Sequence, residues 1–504
     1  MKILVANRGE IAVRILRACR EMGVPSVAVY SECDRTAPHV RQADAAVAIG
    51  PSAPAESYLN IGRIVDAARG TGATAIHPGY GFLAENAAFA RACREAGLVF
   101  IGPEADVIDT MGGKTAARRA AVDAGVPVVP GTEALVDTLS DDELCARADE
   151  VGYPLFVKAV AGGGGRGMRR VAETDAVVAG VEAARSEAST AFGESAVYFE
   201  RLLEGTRHVE IQVLGDEHGT VVPFVERECS IQRRHQKVIE ESPSVAVTLE
   251  VRAALAAAAV ALSSAVNYTN AGTLEFLLDA DGHFYFLEMN TRLQVEHAVT
   301  EMVTGVDLVQ WQIRIAHGER LTVDRRQALT PVGHALECRV YAEDPDAGFM
   351  PAPGRITALR SPSGPGVRND SGVEAGFEVP VFYDSMISKV VAWAPDRAGA
   401  IARMRRALTE YEVVGITTAI PALLWVLGHE AFVSGRFDTT FLDQALAERH
   451  GRSFSDLSAE ETDLAVMAAA LFAYFSAADT LGRGVDGTGP TPWRHAARLN
   501  GLRR

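Results

Sequence analysis

The ten-residue segment EMNTRLQVEH, residues 288–297, constrains this chain more than any other part of the sequence. Its polar side chains fall at every second position: Glu288, Asn290, Arg292, Gln294 and Glu296. Because alternate side chains of an extended strand point to one face, the spacing predicts that all five line the same side of a strand. A buried strand needs partners for such groups. The segment therefore predicts a site that holds a cation and an anion together.

A β-hairpin is predicted at residues 272–290, GTLEFLLDADGHFYFLEMN, which run into that segment. Two β-type runs flank Asp281 and Gly282, a strong signal for a two-residue turn. Counting back along both strands from this turn sets Glu275 opposite Glu288. Like charges across a sheet are destabilising unless a cation lies between them, and Mg²⁺ favours a couple of carboxylates plus substrate phosphates. The alternative is an exposed hairpin edge that carries acidic residues.

The composition bounds the class of protein. A chain of 504 residues has room for about three or four domains. Its net charge of −16 argues against nucleic acid or an anionic membrane as a partner. Six cysteines without a CxxC pair indicate a reducing compartment and no zinc or disulfide framework. The N-terminus lacks the apolar run of a signal peptide, and the apolar stretch 464–478 is too short to cross a bilayer. We expect a cytoplasmic protein.

The order of elements predicts an α/β protein of several domains. Short apolar strands alternate with helical patterns in residues 1–113, which is typical of a parallel sheet flanked by helices. Residues 114–130 are predicted to be a linker, 131–203 a compact αβ unit and 204–447 a larger β-rich domain. Residues 448–504 are predicted to form a helical tail.

A glycine-rich loop follows a predicted strand in PLFVKAVAGGGGRGM, residues 154–168. Glycines let backbone N–H groups approach phosphate oxygens, and Lys158 on the strand adds a positive charge. The lysine precedes the glycines, and the GKT sequence at 113–115 has Ile108 where a P-loop needs glycine, so neither is a P-loop. The first turn of the chain lacks the GxGxxG of a dinucleotide site. The alternative interpretation of the glycine run is a flexible linker.

Donor side chains gather in ERECSIQRRHQKVIEE, residues 226–241. Gln232, His235 and Lys237, with the two arginines between them, suit phosphate and carboxylate groups. The segment alone is equally typical of a solvated charged face.

These strings together resemble biotin carboxylase, an ATP-grasp enzyme, over about residues 1–447. The resemblance rests on ANRGEIAVRILRACREMG, SYLNI, AIHPGYGFLAENAAFA, FIGPEADVI, KAVAGGGGRGM, RHVEIQV, QRRHQKV, AGTLEFL, FLEMNTRLQVEH, GHALECRVYAEDP and YDSMISKVVAW. It implies an ATP-grasp fold with an N-terminal parallel-sheet domain, an αβ lid and a mixed, β-rich C-terminal domain. The implied reaction carboxylates biotin with ATP and bicarbonate through carboxyphosphate.

The resemblance implies a role for each matched position. The glycine loop would close over the ATP phosphates as a lid. The implied ATP-binding residues are Lys114, Lys158, Gly163, Gly164, Gly165, Arg166, Gly167, Met168, Glu200, Arg201, Leu203, His208, Gln232, His235, Lys237 and Leu277. Glu275, Glu288 and Asn290 would hold Mg²⁺ or Mn²⁺. Bicarbonate and biotin would be bound by Gln232, Arg292, Gln294, Val295, Glu296 and Arg339. The implied catalytic residues are Glu296, Arg292, Arg339 and Lys237.

The resemblance also implies partners. No Met-Lys-Met biotin-attachment motif occurs, so we expect biotin on a separate carrier protein and a separate carboxyltransferase subunit. The tail is expected to dock one of these two partners, and the alternative is a surface helix packed on its own body. A homodimer is expected, with Arg14, Arg17 and Glu21 at the contact. Ala161, Gly113 and Ala298 depart from the usual family strings without removing a functional group. Other ATP-grasp ligases and a non-enzymatic relative are the alternatives, and the final carboxyl acceptor (an acyl-CoA or pyruvate) stays open.

Overall fold

The computed structural model describes residues 1–135, 139–160, 168–454 and 459–482. By its contacts the chain divides into two units, Met1–Gly451 and Arg452–Arg504. Along the described ranges, the helices are all too short or too polar to cross a membrane.

A five-stranded parallel sheet opens the first unit, with strand order β3-β2-β1-β4-β5. All three residues of its first strand are buried, as expected where helices cover both faces of a parallel sheet. The predicted parallel sheet is confirmed. Its strands are β1 Ile3–Val5, β2 Ser26–Ser31, β3 Ala45–Gly50, β4 Ala75–His77 and β5 Val99–Phe100, and the helices are α1 Gly9–Glu21, α2 Pro38–Gln42, α3 Ile61–Thr71, α4 Ala87–Glu95, α5 Ala105–Gly112 and α6 Lys114–Asp123.

A three-stranded antiparallel sheet of order β7-β6-β8 forms the αβ unit that was predicted as a lid. Leu155, Val157 and Ala159 are buried on one face against helices, so the alternation of the strand turns Lys158 to the other face. The elements are α7 Asp141–Val151, β6 Leu155–Ala159, β7 Met168–Val171, α8 Val177–Phe192 and β8 Val197–Arg201.

A nine-stranded sheet runs through the rest of the first unit in the order β14-β13-β9-β11-β12-β15-β22-β20, with β10 paired to β9. Its principal strands are β9 Arg207–Gly215, β10 Val221–Pro223, β11 Arg227–Arg233, β12 Gln236–Ser242, β13 Asn270–Leu278, β14 Phe284–Asn290, β15 His334–Tyr341, β20 Val367–Ser371 and β22 Met386–Ala394. Three two-stranded ribbons accompany it, built from β16 Glu343–Asp344 with β17 Met350–Pro351, β18 Gly354–Arg355 with β21 Glu378–Val379, and β19 Ala358–Arg360 with β23 Glu412–Val414.

Helices of the first unit cover this sheet, and one further helix lies in the second unit. In the first unit they are α9 Leu249–Ala265, α10 His297–Thr304, α11 Leu308–Ala316, α12 Arg325–Leu329, α13 Arg397–Glu410, α14 Ile420–Gly428, α15 Glu430–Val433 and α16 Phe441–Glu448. The second unit contains α17 Ala459–Gly482. The apolar side chains of α17 from Leu464 to Phe475 are exposed.

The hairpin β13–β14 sets Glu275 opposite Glu288 as predicted, but its turn and its strand pairing differ from the prediction. The two-residue turn is wrong: the N–H of Asp279 donates to the carbonyl of His283, so the turn contains three residues, and Gly282 adopts the left-handed φ of +86°. This longer turn shifts the pairing by one residue. A β-bulge between Glu275 and the next pair restores the predicted register.

Candidate active site

One face of the nine-stranded sheet is polar, because the neighbouring strands β9 and β13 turn their polar side chains to the same side. Val209, Ile211 and Val213 on β9 pack with α9 in an apolar core, so His208, Glu210 and Gln212 face the opposite side. On β13 the same alternation buries Leu274 and Phe276 in that core and turns Glu275 to the polar side. The site is built on this polar face.

Lys237 lies at the centre of the polar face. Its Nζ donates to Glu210 Oε2 at 2.7 Å, Glu275 Oε1 at 2.8 Å and Glu296 Oε1 at 2.7 Å. Burial opposes the charge of this ammonium, but the three carboxylates outweigh that effect and raise its pKa well above the ordinary value. Lys237 therefore stays charged and joins three strands and the EMNTRLQVEH segment.

Glu275 and Glu288 differ sharply in their surroundings. Glu275 Oε1 accepts hydrogen bonds from Asn290 at 2.9 Å and Gln294 at 3.0 Å, and its Oε2 lies 2.8 Å from His208 Nε2. Burial alone would raise the pKa of Glu275, but Lys237 and His208 lower it far below its ordinary value. Glu288 is exposed and has no side-chain hydrogen bond to any described residue. Partial desolvation in the cleft and the nearby charge of Glu275 raise its pKa.

The polar segment does not lie along one strand, so that prediction is wrong beyond Asn290. Strand β14 ends at Asn290, and the chain bends before α10 begins at His297. Arg292 donates to Asn290 Oδ1 at 2.9 Å and to Gln294 Oε1 at 3.0 Å. These bonds replace the alternation of a strand, and the five predicted side chains still gather at one site.

Glu85 anchors the bend and was missed by the sequence analysis. Its Oε2 accepts from Arg292 Nε at 2.8 Å, and its Oε1 accepts from the backbone N–H of Thr291 at 3.0 Å. The residue lies in the string AIHPGYGFLAENAAFA, more than two hundred positions from its partners, so local spacing could not connect them. The same holds for Glu210, which reaches Lys237 and Arg227 only through the sheet.

Arg339 and Lys237 hold the two oxygens of Glu296. Arg339 donates to Glu296 Oε2 at 3.0 Å and contacts Glu240 Oε1 at 2.6 Å. Although burial opposes it, the attraction of both cations lowers the pKa of Glu296 well below its ordinary value. The result is an ionised, fully buried carboxylate held in one orientation. Val295, next to it, accepts a hydrogen bond through its carbonyl from Lys389.

Some of the predicted ATP-binding side chains lie near the residues described above, and others do not. Lys158 forms an ion pair with Glu200, and burial together with the nearby charge of Lys158 lowers the pKa of Lys114. Gln232 Nε2 lies 2.8 Å from His208 Nδ1, and Leu277 pairs with His208 across the strands. Arg201 contacts the carbonyl of Val151, Leu203 and Met168 are half-buried, and His235 is exposed in the β11–β12 turn. Gly163, Gly164, Gly165, Arg166 and Gly167 lie outside the described residues.

The carboxylate pair fits a divalent cation brought with a nucleotide. Glu288 keeps its oxygens free of donors from the described chain, and Glu275 lies directly opposite it. Mg²⁺ takes few protein carboxylates and completes its shell with phosphates and water. Ligand atoms of His208, Glu210 and Glu275 also lie within 4.8 Å of one another, but Lys237 already neutralises both carboxylates there. Glu288 is the carboxylate of the pair whose oxygens no described donor occupies, so a cation would bind at Glu288, beside Glu275.

Comparison with known proteins gives the family. The N-terminal domain of biotin carboxylase matches residues 1–108, the ATP-binding domain of the carbamoyl-phosphate synthase L chain matches residues 113–324, and the biotin carboxylase C-terminal domain matches residues 337–444. The biotin carboxylase of Nostoc sp. is 53% identical over 443 residues, which are 88% of this chain and 98% of that protein. Biotin carboxylase 1 of Bacillus subtilis is 52% identical over 443 residues, again 88% and 98% of the two chains.

Solved structures agree with this result. The biotin carboxylase domain dimer of Hydrogenobacter thermophilus 2-oxoglutarate carboxylase, in complex with MgADP, ADP and bicarbonate, superposes with a TM-score of 0.84 at 46% identity, covering 91% of this chain and 99% of that one. The Campylobacter jejuni biotin carboxylase, in complex with a β,γ-ATP ligand, has a TM-score of 0.84 at 44% identity and covers 88% and 98%. The chain belongs to the biotin carboxylase family.

Proposed function

We propose that this chain carboxylates biotin on a carrier protein, using ATP and bicarbonate, with Glu296 as the general base. The observation that carries the proposal is the arrangement of Glu296 between Lys237 and Arg339, beside the carboxylate pair of Glu275 and Glu288. A base, two cations and a divalent-cation site within one cleft suit the joining of two anions, the ATP γ-phosphate and bicarbonate. The family of the chain supports the same reaction.

Glu296 acts as the general base. Its lowered pKa keeps it ionised, so it can take the proton of bicarbonate as a bicarbonate oxygen attacks the γ-phosphorus and ADP leaves. Lys237 and Arg292 offset the negative charge that spreads over the transferring phosphoryl group. The product of this step is carboxyphosphate. Arg292, Gln294, Gln232 and the backbone of Val295 orient bicarbonate for the attack.

Nucleotide binding uses the two sides of the cleft. Lys114 and Lys158 contact the phosphates, and Glu200, Arg201, Leu203, His208 and Leu277 form the adenine and ribose pocket. Glu275, Glu288 and Asn290 would hold Mg²⁺, or Mn²⁺, and the ion would supply positive charge to the phosphate oxygens. His235 and Met168 complete the pocket at its edges.

Arg339 acts in the second half of the reaction. Carboxyphosphate releases CO₂ beside biotin, and the departing phosphate takes the proton of the biotin N1′. The guanidinium of Arg339 stabilises the enolate oxygen that results, and N1′ then attacks CO₂. Closure of the αβ unit keeps water away from carboxyphosphate, which water would otherwise hydrolyse.

The partners follow from the same reaction. We infer that a separate carrier protein presents biotin and that a carboxyltransferase subunit passes the carboxyl group to its acceptor. A cytoplasmic location fits six free cysteines. A homodimer is part of this proposal, but Arg14 cannot be an exposed contact as expected: it is buried and bonds Glu301 at 2.9 Å and Asp307 at 2.7 Å within its own chain. Arg17 and Glu21 are exposed and stay candidates.

The decisive experiment measures phosphate release from ATP with and without bicarbonate and free biotin. We expect cleavage to require bicarbonate and to be stimulated by biotin. Glu296→Gln should abolish both, while Glu319→Gln, which changes an exposed carboxylate in the loop after α11, should leave them unchanged. Equal rates in all four mixtures contradict the proposed function.

A further inference from the structure

Glu337 is a fully buried carboxyl group that the reaction scheme does not use. It lies on β15, two residues before Arg339, and its side chain is 0% exposed. Neither of its side-chain oxygens has a hydrogen-bond partner within the described part of the chain. Buried polar groups of a folded protein are almost always paired, so a carboxyl group left this way needs an explanation.

The residue directly across the sheet is another buried acid. Strand β12 pairs with β15 so that Glu240 faces Glu337. Glu240 is also 0% exposed; its Oε1 contacts Arg339 at 2.6 Å, and its Oε2 has no partner among the described residues. Two ionised carboxylates at facing positions of a dry sheet repel each other.

The charges around this pair do not balance if every acid is ionised. Arg339 is already divided between Glu240 and Glu296. Lys389 on β22 donates to the carbonyl of Val295 and lies 3.5 Å from Glu10.

Tyr80 also lies beside these groups; it donates to Glu10 and is neutral. Lys237 is a third cation, but it is shared by Glu296, Glu210 and Glu275. Three cations therefore face six carboxyls, those of Glu10, Glu210, Glu240, Glu275, Glu296 and Glu337. An excess buried acid takes up a proton in place of a buried charge.

Burial acts on both members of the pair in the same direction. It raises the pKa of Glu337 well above its ordinary value, and Lys389 only partly opposes the effect. It raises the pKa of Glu240 to about 7, although the attraction of Arg339 works against the shift. Both shifts favour a protonated carboxyl within the pair.

We propose that Glu240 and Glu337 hold one proton between them and that Glu337 is a positioning residue for Arg339. With Glu337 neutral, Arg339 faces two carboxylates and keeps positive charge for the biotin enolate. With Glu337 ionised, a third carboxylate competes for the same guanidinium. The inference rests on the role proposed above for Arg339, and it predicts that the biotin-dependent step declines when the pair loses its proton at alkaline pH.

The test compares Glu337→Gln with Glu337→Asp and the wild type. We measure kcat/KM for biotin from about pH 6.5 to about pH 9.5, and bicarbonate-dependent ATP cleavage without biotin as a second readout. Glu337→Gln, a permanently neutral isostere, should stay within about twofold of the wild type at neutral pH and should lose the alkaline decline of the biotin-dependent step. Glu337→Asp, which still titrates, should keep that decline. Cleavage without biotin should be the same in all three.

Two outcomes overturn the inference: a Glu337→Gln protein that melts normally but has lost about tenfold or more of its kcat/KM for biotin at every pH, or one that shows the same alkaline decline as the wild type. If Glu337→Gln does not fold, infrared spectroscopy of the wild type decides. A protonated carboxyl band that disappears on raising the pH supports the shared proton, and its absence at neutral pH overturns it. A wild type without bicarbonate-dependent cleavage contradicts the proposed function instead.

Discussion

Glu275 and Glu288 are both proposed cation ligands, yet replacement by glutamine should destabilise the protein at Glu275 and leave its stability nearly unchanged at Glu288. The Glu275 carboxylate is buried and contacts Lys237, Asn290 and Gln294. Glutamine keeps one oxygen for these three donors, but it lacks the negative charge that pairs with Lys237 and turns an N–H group towards His208. Breaking a buried ion pair costs about 3–5 kcal/mol, and we expect the lower end, about 3 kcal/mol, because Lys237 keeps Glu210 and Glu296.

The Glu288→Gln change should leave stability within about 0.5 kcal/mol of the wild type, because the side chain is exposed and receives no hydrogen bond from a described residue. Its effect should appear in catalysis: the Mg²⁺ concentration needed for half-maximal ATP cleavage should rise by about tenfold or more, as expected when a cation loses one of its few carboxylate ligands. Glu288→Gln thus separates cation binding from folding.

The assay is urea unfolding of both variants without nucleotide, followed by Mg²⁺ titration of bicarbonate-dependent ATP cleavage. Glu319→Gln again serves as the matched exposed control. The reasoning is refuted if Glu288→Gln is destabilised as much as Glu275→Gln. It is also refuted if the Mg²⁺ requirement of Glu288→Gln equals that of the wild type.

Three further predictions follow from the same contacts. Lys237→Met should lose about a thousandfold or more of ATP cleavage, because it removes the cation among three carboxylates; near-normal turnover would contradict this. Burial lowers the pKa of His39 to about 4 and of His77 to about 3, so the folded chain keeps both neutral while the unfolded chain takes up protons below about pH 6.5. The free energy of unfolding should keep its full value above that pH and should fall by roughly 2 kcal/mol per imidazole at about pH 5. A free energy of unfolding in urea that does not change with pH over this range would refute the prediction. Removing residues 452–504 should preserve carboxylation of free biotin and abolish co-purification with partner subunits; loss of the free-biotin activity would refute the docking role of the tail.

Much of the fold could be predicted because its signals are local. The apolar runs at Ile3–Val5 and Ser26–Ser31 are recognisable strands, and the helix between them carries its own apolar periodicity. The turn of the β13–β14 hairpin was predicted one residue too short. The facing pair Glu275 and Glu288 was nevertheless correct, because a bulge cancels that error; an Asp-Gly signal does not reveal either feature.

The sequence predicted which residues belong to the site, but it did not predict how they are arranged. The roles of its residues stay a proposal, but the side chains of Lys237, Glu275 and Glu296 do meet in the structure. Their neighbours Glu85, Glu210 and Glu240 were missed, since each joins the site only through tertiary contact. A buried glutamate in a strand has no periodicity of its own that separates it from an exposed one.

The large sheet has a consequence for how the chain can be divided. The match to the ATP-binding domain ends at residue 324, and the match to the biotin carboxylase C-terminal domain begins at residue 337. Strands β12 and β15 lie on either side of that boundary, yet they are hydrogen-bonded neighbours in the middle of one sheet. A fragment that ends at residue 330 would expose the edge of β12, including Glu240 and Glu241, to water and to other chains. The segment matched by the ATP-binding domain and the segment that carries Arg339 are therefore joined by one continuous sheet. Moving one segment away from the other would break the hydrogen bonds between β12 and β15, so any movement that admits a ligand must come from elements outside this pair of strands.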